Sequence, residues 1–333
     1  MKYLLIALSI IFLTGCQVDN SSLMPNISGR AYELIVVMED EHWDGHSGDS
    51  IIKYLGKNIV GLPQEEPVFD LVQIPPKAFS EIFKTHRNII RVKISSQINE
   101  PKVYMRKDVY AKPQMLVQIE AGNIDEFINL FIEHSGTIEN KLLLKERNRI
   151  IGNYKRFEDI NIGTTLRDKH GLKLTFPRGF TYDMDTSNFI WVSHETRNVS
   201  QGVFIYYYNY TDTTAFDKEN LISSRDRYLR AFVHGQNKGS YMSTEKRILP
   251  AYREFLRNNQ YYTELKGLWR LEGDFMGGPF ISLSTVDTIR NRVVTVEGYV
   301  YAPKNDKRNF LRQTEAILYT LEFVSPNDET AEK

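Results

Sequence analysis

The sequence predicts an α+β fold made of antiparallel sheets flanked by helices, arranged as two α+β halves. Three observations carry this. Apolar runs of strand length recur along the chain, helical periodicity is confined to a few segments, and the strands of the second half are grouped together. Grouped strands pair antiparallel and leave their helices to cover one face.

The chain opens with a basic Lys2, an apolar run from Leu4 to Leu13, and Leu13-Thr14-Gly15-Cys16. The run is shorter than the ~20 residues of a membrane span and has the form of a cleaved secretory signal. A branched residue at Leu13, small residues at Thr14 and Gly15, and the thiol of Cys16 together make a bacterial lipobox. Residues 1–15 are therefore expected to be a lipoprotein signal peptide, and Cys16 to receive diacylglycerol and a further acyl chain such as palmitate. At ~0.8 kcal/mol per buried methylene, two or three chains hold a protein to a membrane permanently. Residues 16–29, polar and turn-rich through Asp19, Asn20, Pro25 and Asn26, read as the lipidated cysteine and a flexible tether. Cys16 is the single cysteine, so internal disulfides and thiol catalysis are excluded. No acidic run follows it, which points to the outer membrane, facing the periplasm.

Lysine plus arginine and aspartate plus glutamate number 42 each. There is no global field to attract nucleic acid, and no nucleic-acid partner is expected. Aromatic residues make up 12% of the chain, which suits sheet faces and cores first and stacking surfaces for glycans second.

The first half, residues 30–160, alternates strand and helix signals. Tyr32 to Met38, Phe69 to Ile74 and Ile89 to Ile94 read as strands. Val103 to Val109 and Met115 to Glu120 read as a hairpin. Asp49 or Ser50 is a candidate N-cap before Ile51, Ile52 and Leu55, and Pro75-Pro76 opens a short helix with Phe79, Ile82 and Phe83 inward. Asn123 and Glu126 have capping-box spacing ahead of Ile124, Phe127, Ile128, Phe131 and Ile132. After Gly136 a second long helix is expected through Leu142, Leu143, Ile150, Ile151 and Tyr154.

The second half, residues 161–325, has strand character at Leu172 to Phe176, Asn188 to His194, Val203 to Tyr208, Tyr241 to Arg247, Tyr261 to Leu271, Phe280 to Val286 and Val293 to Tyr301. One helix is expected at Lys218 to Phe232. Another starts at Asn305 or Asp306 with Phe310, Leu311, Ile317, Leu318 and Leu321 inward. Residues 326–333 read as a disordered tail.

Several segments, in this order behind the lipobox, resemble an uncharacterised family of Bacteroidetes lipoproteins, a domain of unknown function. They are Leu62-Pro-Gln-Glu-Glu-Pro67 with Phe69-Asp70, Gly239-Ser-Tyr-Met242, Gly267-Leu-Trp269, Asp274-Phe-Met-Gly-Gly-Pro-Phe280, and Val300-Tyr-Ala-Pro303 with Lys307-Arg308. The resemblance implies a lineage and an envelope location, with no activity attached. The second half also resembles the fold shared by the photosystem protein PsbP and the nuclear-import factor Mog1, through the turn Pro177 to Phe180 after a first strand and a meander before a final helix. That likeness implies a protein-binding role.

Gly273-Asp-Phe-Met-Gly-Gly-Pro279 is the most unusual local sequence after the lipobox. Adjacent glycines permit close approach of a ligand, and Asp274 supplies an acceptor. It lacks the Lys-Ser or Lys-Thr of a phosphate loop, so a turn between strands is the simpler reading. Any ligand loop is expected here, lined by Trp269, Asp274, Phe275, Gly277 and Gly278. His42-Trp-Asp-Gly-His46 has helical spacing for a metal pair, but Gly45 and Gly48 favour a loop, and neither metal nor cofactor is expected. The Arg225, Arg227, Arg230 group and the Lys304, Lys307, Arg308, Arg312 group read as solvated basic faces. No catalytic motif is present, and catalytic residues are not assigned. The sequence therefore points to a non-enzymatic binding or assembly module for an envelope protein or cell-wall component. A glycan hydrolase using Asp274, Glu272 and Glu297, or a carrier of an apolar ligand, is the alternative.

Overall fold

A computed structural model describes residues 24–325. The signal segment 1–15, Cys16 with the first part of the tether, and the tail 326–333 lie outside the described residues.

The first half runs β1 (Glu33–Val37), α1 (Asp40–Trp43), α2 (His46–Leu55), β2 (Asp70–Ile74), α3 (Glu81–Lys84), β3 (Asn88–Ile94), β4 (Lys102–Lys107), β5 (Met115–Ala121) and α4 (Ile124–Arg156). Its sheet has the order β2-β1-β3-β5-β4. The expected hairpin is the antiparallel pair β4 and β5, while β2, β1, β3 and β5 run parallel. Helices α1 to α3 lie in the crossovers that link β1, β2 and β3, and the connection between the parallel β3 and β5 carries the edge strand β4 instead of a helix. Leu34, Val36, Ile90, Val117 and Ile119 face α2 and α4, where Ile51, Leu55, Phe127, Phe131 and Leu142 complete the core. Each such burial contributes ~1.5–3 kcal/mol. Ile35, Val37, Ile89 and Leu116 pack on the other face beneath Phe79 and Phe83.

Local expectations shift in three places. Helix α2 begins at His46, with Gly48 inside it, because a Cβ at Gly48 would lie 1.9 Å from the Trp43 carbonyl oxygen. That glycine permits the close approach of α1 rather than breaking the helix. Of the apolar residues after Pro76, Phe79 and Phe83 turn inward and Ile82 is exposed. Helix α4 does not stop at Gly136 but continues for 33 residues. A helical glycine costs only about 1 kcal/mol relative to alanine, less than the packing on either side of it returns. At its start Asn123 Oδ1 accepts from Glu126 N at 2.9 Å, and Glu126 Oε2 accepts from Gly122 N at 2.9 Å.

The second half contains α5 (Ile160–His170), β6 (Leu172–Lys173), β7 (Thr181–Asp185), β8 (Phe189–Glu195), β9 (Ser200–Asn209), α6 (Lys218–Phe232), β10 (Tyr241–Thr244), β11 (Ala251–Arg257), β12 (Gln260–Glu272), β13 (Gly277–Asp287), β14 (Arg292–Tyr301), α7 (Arg308–Leu318) and β15 (Glu322–Phe323). Helix α5, capped by Asp159 and ended by the left-handed Gly171, was not expected, nor were β7 and β11. The large sheet is antiparallel, in the order β10-β12-β13-β14-β9-β8-β7, with β11 following β10 along the free side of β12. Both of its faces are covered, not one. Val203, Ile205, Ile281, Leu283 and Val296 pack under Leu311, Ile317 and Leu318 of α7. The alternate residues Phe204, Tyr206, Leu265, Phe280 and Tyr299 pack under Leu221, Tyr228 and Leu229 of α6.

Candidate functional site: an aromatic cleft beyond helix α6

Helix α6 has 15 residues and is therefore about 22 Å long, whereas the 13 residues of β12 span about 43 Å. The helix ends at Phe232, and the sheet face beyond it is left as an open cleft of about 650 Å³. Val233 to Gln236 form one wall and the β8–β9 turn, Glu195 to Val199, forms another. Alternation along β8, β12 and β14 brings Trp191, Trp269, Tyr299 and Tyr301 to this one face.

The rings pack as a set. Trp269 meets Tyr299 edge-on at 6.2 Å and Tyr301 at 6.1 Å, and Trp191 meets Tyr299 at 6.4 Å. Both indole nitrogens and the Tyr299 hydroxyl are spent within the protein. Trp191 Nε1 donates to Tyr299 Oη at 3.0 Å and Trp269 Nε1 donates to the Val300 carbonyl at 3.2 Å. Burial pushes the Tyr299 phenol well above its usual range, so it stays neutral. Trp269 and Tyr299 are buried, while Trp191 and Tyr301 are half-exposed and offer apolar ring surface. Exposed Glu195, Arg197, His234 and Lys304 border the opening.

The expected ligand loop is divided by this arrangement. Trp269, with Met276, lines both the cleft and a separate recess of about 400 Å³, and Asp274, Phe275, Gly277 and Gly278 line only the recess. Gly273, at φ +79°, makes the turn. Gly277 and Gly278 belong to β13 and pair with Arg270 and Trp269. A Cβ on Gly278 would fall 2.1 Å from the Val300 carbonyl oxygen. Asp274 accepts from Phe275 N at 2.6 Å and Asn237 Nδ2 at 3.2 Å, and Phe275 is 93% exposed. Trp191, Tyr299 and Tyr301 were not singled out from sequence, because strand alternation alone does not say which sheet face a helix leaves uncovered.

The carboxylates considered for hydrolysis do not converge. Glu297 is fully buried under α6, where Arg225 Nε and Nη2 donate to it at 2.9 and 2.7 Å. Glu272 accepts from Ser243 Oγ at 2.9 Å. The basic groups also differ from expectation. Arg225 is a core residue, and Lys307, Arg308 and Arg312 are buried, because each finds an acceptor or carboxylate within the fold. His46 lies 3.7 Å from Asp49 on the surface, and no group of three His, Cys, Asp or Glu suited to a metal occurs among the described residues. Among those residues, no helix is long and apolar enough to cross a membrane.

Residues 159–320 match a domain of unknown function (DUF4837), and residues 27–155 match a second domain of unknown function (DUF8532). These matches agree with an uncharacterised family. No curated protein matches the chain. Among solved structures, it is similar to LpqN, involved in cell envelope biogenesis of Mycobacterium tuberculosis, with 8% identity, 46% of this chain and 83% of that chain covered, and a TM-score of 0.28. It is also similar to the lipid transfer and protein localization domain of human StarD13 (DLC2), with 8% identity, 43% and 89% covered, and a TM-score of 0.22. Neither likeness, at such a score, bears on activity.

Proposed function

We propose that this chain is a lipid-anchored cell-envelope protein, attached through Cys16 and facing the periplasm from the outer membrane, whose C-terminal half is a non-catalytic binding module for cell-wall glycan. The observation that carries the reading is the set Trp191, Trp269, Tyr299 and Tyr301, in which both indole N–H groups and the Tyr299 hydroxyl are satisfied internally and whose accessible ring surface lies in an open cleft. Flat aromatic faces suit the apolar face of a sugar ring, and the polar side chains of Glu195, Arg197, His234 and Lys304 suit its polar substituents. A carrier of an apolar ligand would be better served by a closed, dry cavity than by this charged opening. The resemblance to Bacteroidetes lipoproteins supports the envelope location.

Co-sedimentation of the purified chain with isolated cell wall, followed by titration with soluble wall fragments using tryptophan fluorescence, tests the reading. Trp191→Ala and Tyr301→Ala, both at half-exposed positions, are expected to weaken binding by about tenfold each. Phe275→Ala is expected to change nothing. The reading fails if the wild-type chain does not sediment with the wall, or if both cleft variants bind as it does.

A further inference from the structure

A second cavity, of about 900 Å³, lies between the two halves. Helix α4 and the Lys57 to Val60 segment form one side, and β11 with the end of α7 forms the other. Its charge is unbalanced. Lys57, Arg147, Arg253, Arg257, Lys266 and Arg312 border it, against Glu139, Glu264 and Glu315.

The three carboxylates are shared among five of these cations. Lys57 pairs with Glu139 at 2.7 Å, Arg253 and Lys266 with Glu264 at 2.7 and 3.0 Å, and Arg312 and Arg147 with Glu315 at 2.7 and 3.1 Å. Arg257 reaches only a backbone acceptor, the carbonyl of Tyr319, through Nη2. Among the described residues, the buried guanidinium nitrogens without a hydrogen-bond partner are Arg257 Nη1 and Arg147 Nε, and both side chains border this cavity. The two guanidinium groups lie 5.4 and 3.5 Å from the centre of the same Tyr319 ring. A cleft lined by an excess of one sign concentrates ions of the other sign. The lip of the cavity is apolar, with Val60 64% exposed, Leu144 45% and Leu256 73%.

We propose that this cleft binds an anionic amphiphile, with a phosphate head held by Arg147 and Arg257 and an apolar tail laid over Leu144, Leu256 and Val60. A phosphate presents several acceptor oxygens and up to two charges, which fits planar guanidinium donors and the surplus of cations better than a single carboxylate does. The site is separate from the aromatic cleft, and its failure leaves the glycan reading untouched.

Calorimetric titration of the purified chain with dihexanoylphosphatidic acid, inorganic phosphate and octyl glucoside separates head from tail. The phosphatidic acid is expected to bind about tenfold more tightly than either of the others. Arg257→Gln is expected to weaken it by about tenfold, and Arg257→Lys, which keeps the charge and loses the planar fork, to recover only part of that loss. Leu256→Asp, at an exposed lip position that cannot disturb the core, is expected to weaken it severalfold by placing a like charge at the mouth. Equal binding of inorganic phosphate overturns the role of the tail, and equal binding of octyl glucoside overturns that of the head. Unchanged affinity in both Arg257→Gln and Leu256→Asp overturns the site.

Discussion

The carboxylate of Glu66, in the segment before β2, accepts the backbone N–H groups of Lys307 and Arg308 at 2.7 and 2.8 Å, so a residue of the first half caps the helix that covers the sheet of the second. Lys307, at the N-cap position itself, makes no side-chain cap. Arg308 returns the contact through Asp70, with bonds of 3.0 and 2.6 Å. The orphan donors of a helix start and the dipole behind them favour a carboxylate there, and the partner lies 241 residues away.

Removing that cap is expected to destabilise the fold. Glu66→Ala should cost about 1–2 kcal/mol in urea denaturation, and Glu66→Gln, which keeps one acceptor oxygen, should recover part of the loss. An unchanged midpoint for Glu66→Ala would mean that solvent satisfies the helix end instead.

Arg225 and Glu297 form a fully enclosed pair under α6, with the guanidinium also 3.8 Å from the centre of the Phe280 ring. Glu297→Ala removes the bidentate partner of a buried cation, leaving it Asp226 at 3.6 Å and the Thr244 hydroxyl, and should cost up to about 3 kcal/mol. The double replacement Arg225→Met with Glu297→Leu is expected to restore most of the stability. Equal losses in the single and double variants would contradict the assignment of the cost to the buried guanidinium left behind.

Burial raises the Glu315 carboxyl, but Arg312, Arg147 and Lys266 outweigh it and hold the group well below its ordinary range. Burial likewise opposes, and Lys266 and Arg253 overcome it, at Glu264. Glu297, facing one guanidinium, is instead raised by its burial. A depressed carboxyl contributes stability that is complete above the unfolded value of about 4.3 and is lost as pH falls below it. The melting temperature should therefore drop between about pH 5 and pH 3. Glu315→Gln should be less stable at neutral pH with a flatter acid limb. Parallel acid limbs in the two proteins would place the acid sensitivity elsewhere.

Gly278→Ala pushes a methyl group into the Val300 carbonyl and within 3.0 Å of Trp269 Nε1. A loss of about 1–3 kcal/mol is expected, with altered tryptophan emission. Phe275→Ser, on the exposed turn, should stay within about 0.5 kcal/mol of wild type. Comparable melting of all three proteins would show that β13 can move away from β14.

For the anchor, Cys16→Ala is expected to leave the membrane fraction or to remain uncleaved. Fractionation followed by mass measurement of the N-terminus decides it, and a variant processed and retained like the wild type rejects lipidation at Cys16.

Much of the fold was legible where one physical signal dominated. Asn123 with Glu126 marked the start of α4, the Lys218–Phe232 helix has the bounds its periodicity gives, and the long strands β12 to β14 follow their apolar alternation. Misreadings arose where a local cue met a tertiary contact. Gly48 looked like a helix breaker and is a packing glycine, and Gly136 looked like a stop and lies in continuous helix. Arg225 and Arg308 looked like surface charge and are buried against Glu297 and Asp70. Of the loop residues singled out, only Trp269 borders the larger aromatic cleft.

The sequence by itself determined the α+β class and most of the strands and helices, because hydrophobic period and capping chemistry act between residues close along the chain. It also supplied the lipobox reading of Cys16, which remains a proposal. Only the tertiary structure decided which charges are buried and which sheet face is open. Glu66 meets Arg308, and Trp191 meets Tyr299, through pairings more than a hundred residues long. Those depend on where α6 ends and how α7 docks, and no local pattern encodes either.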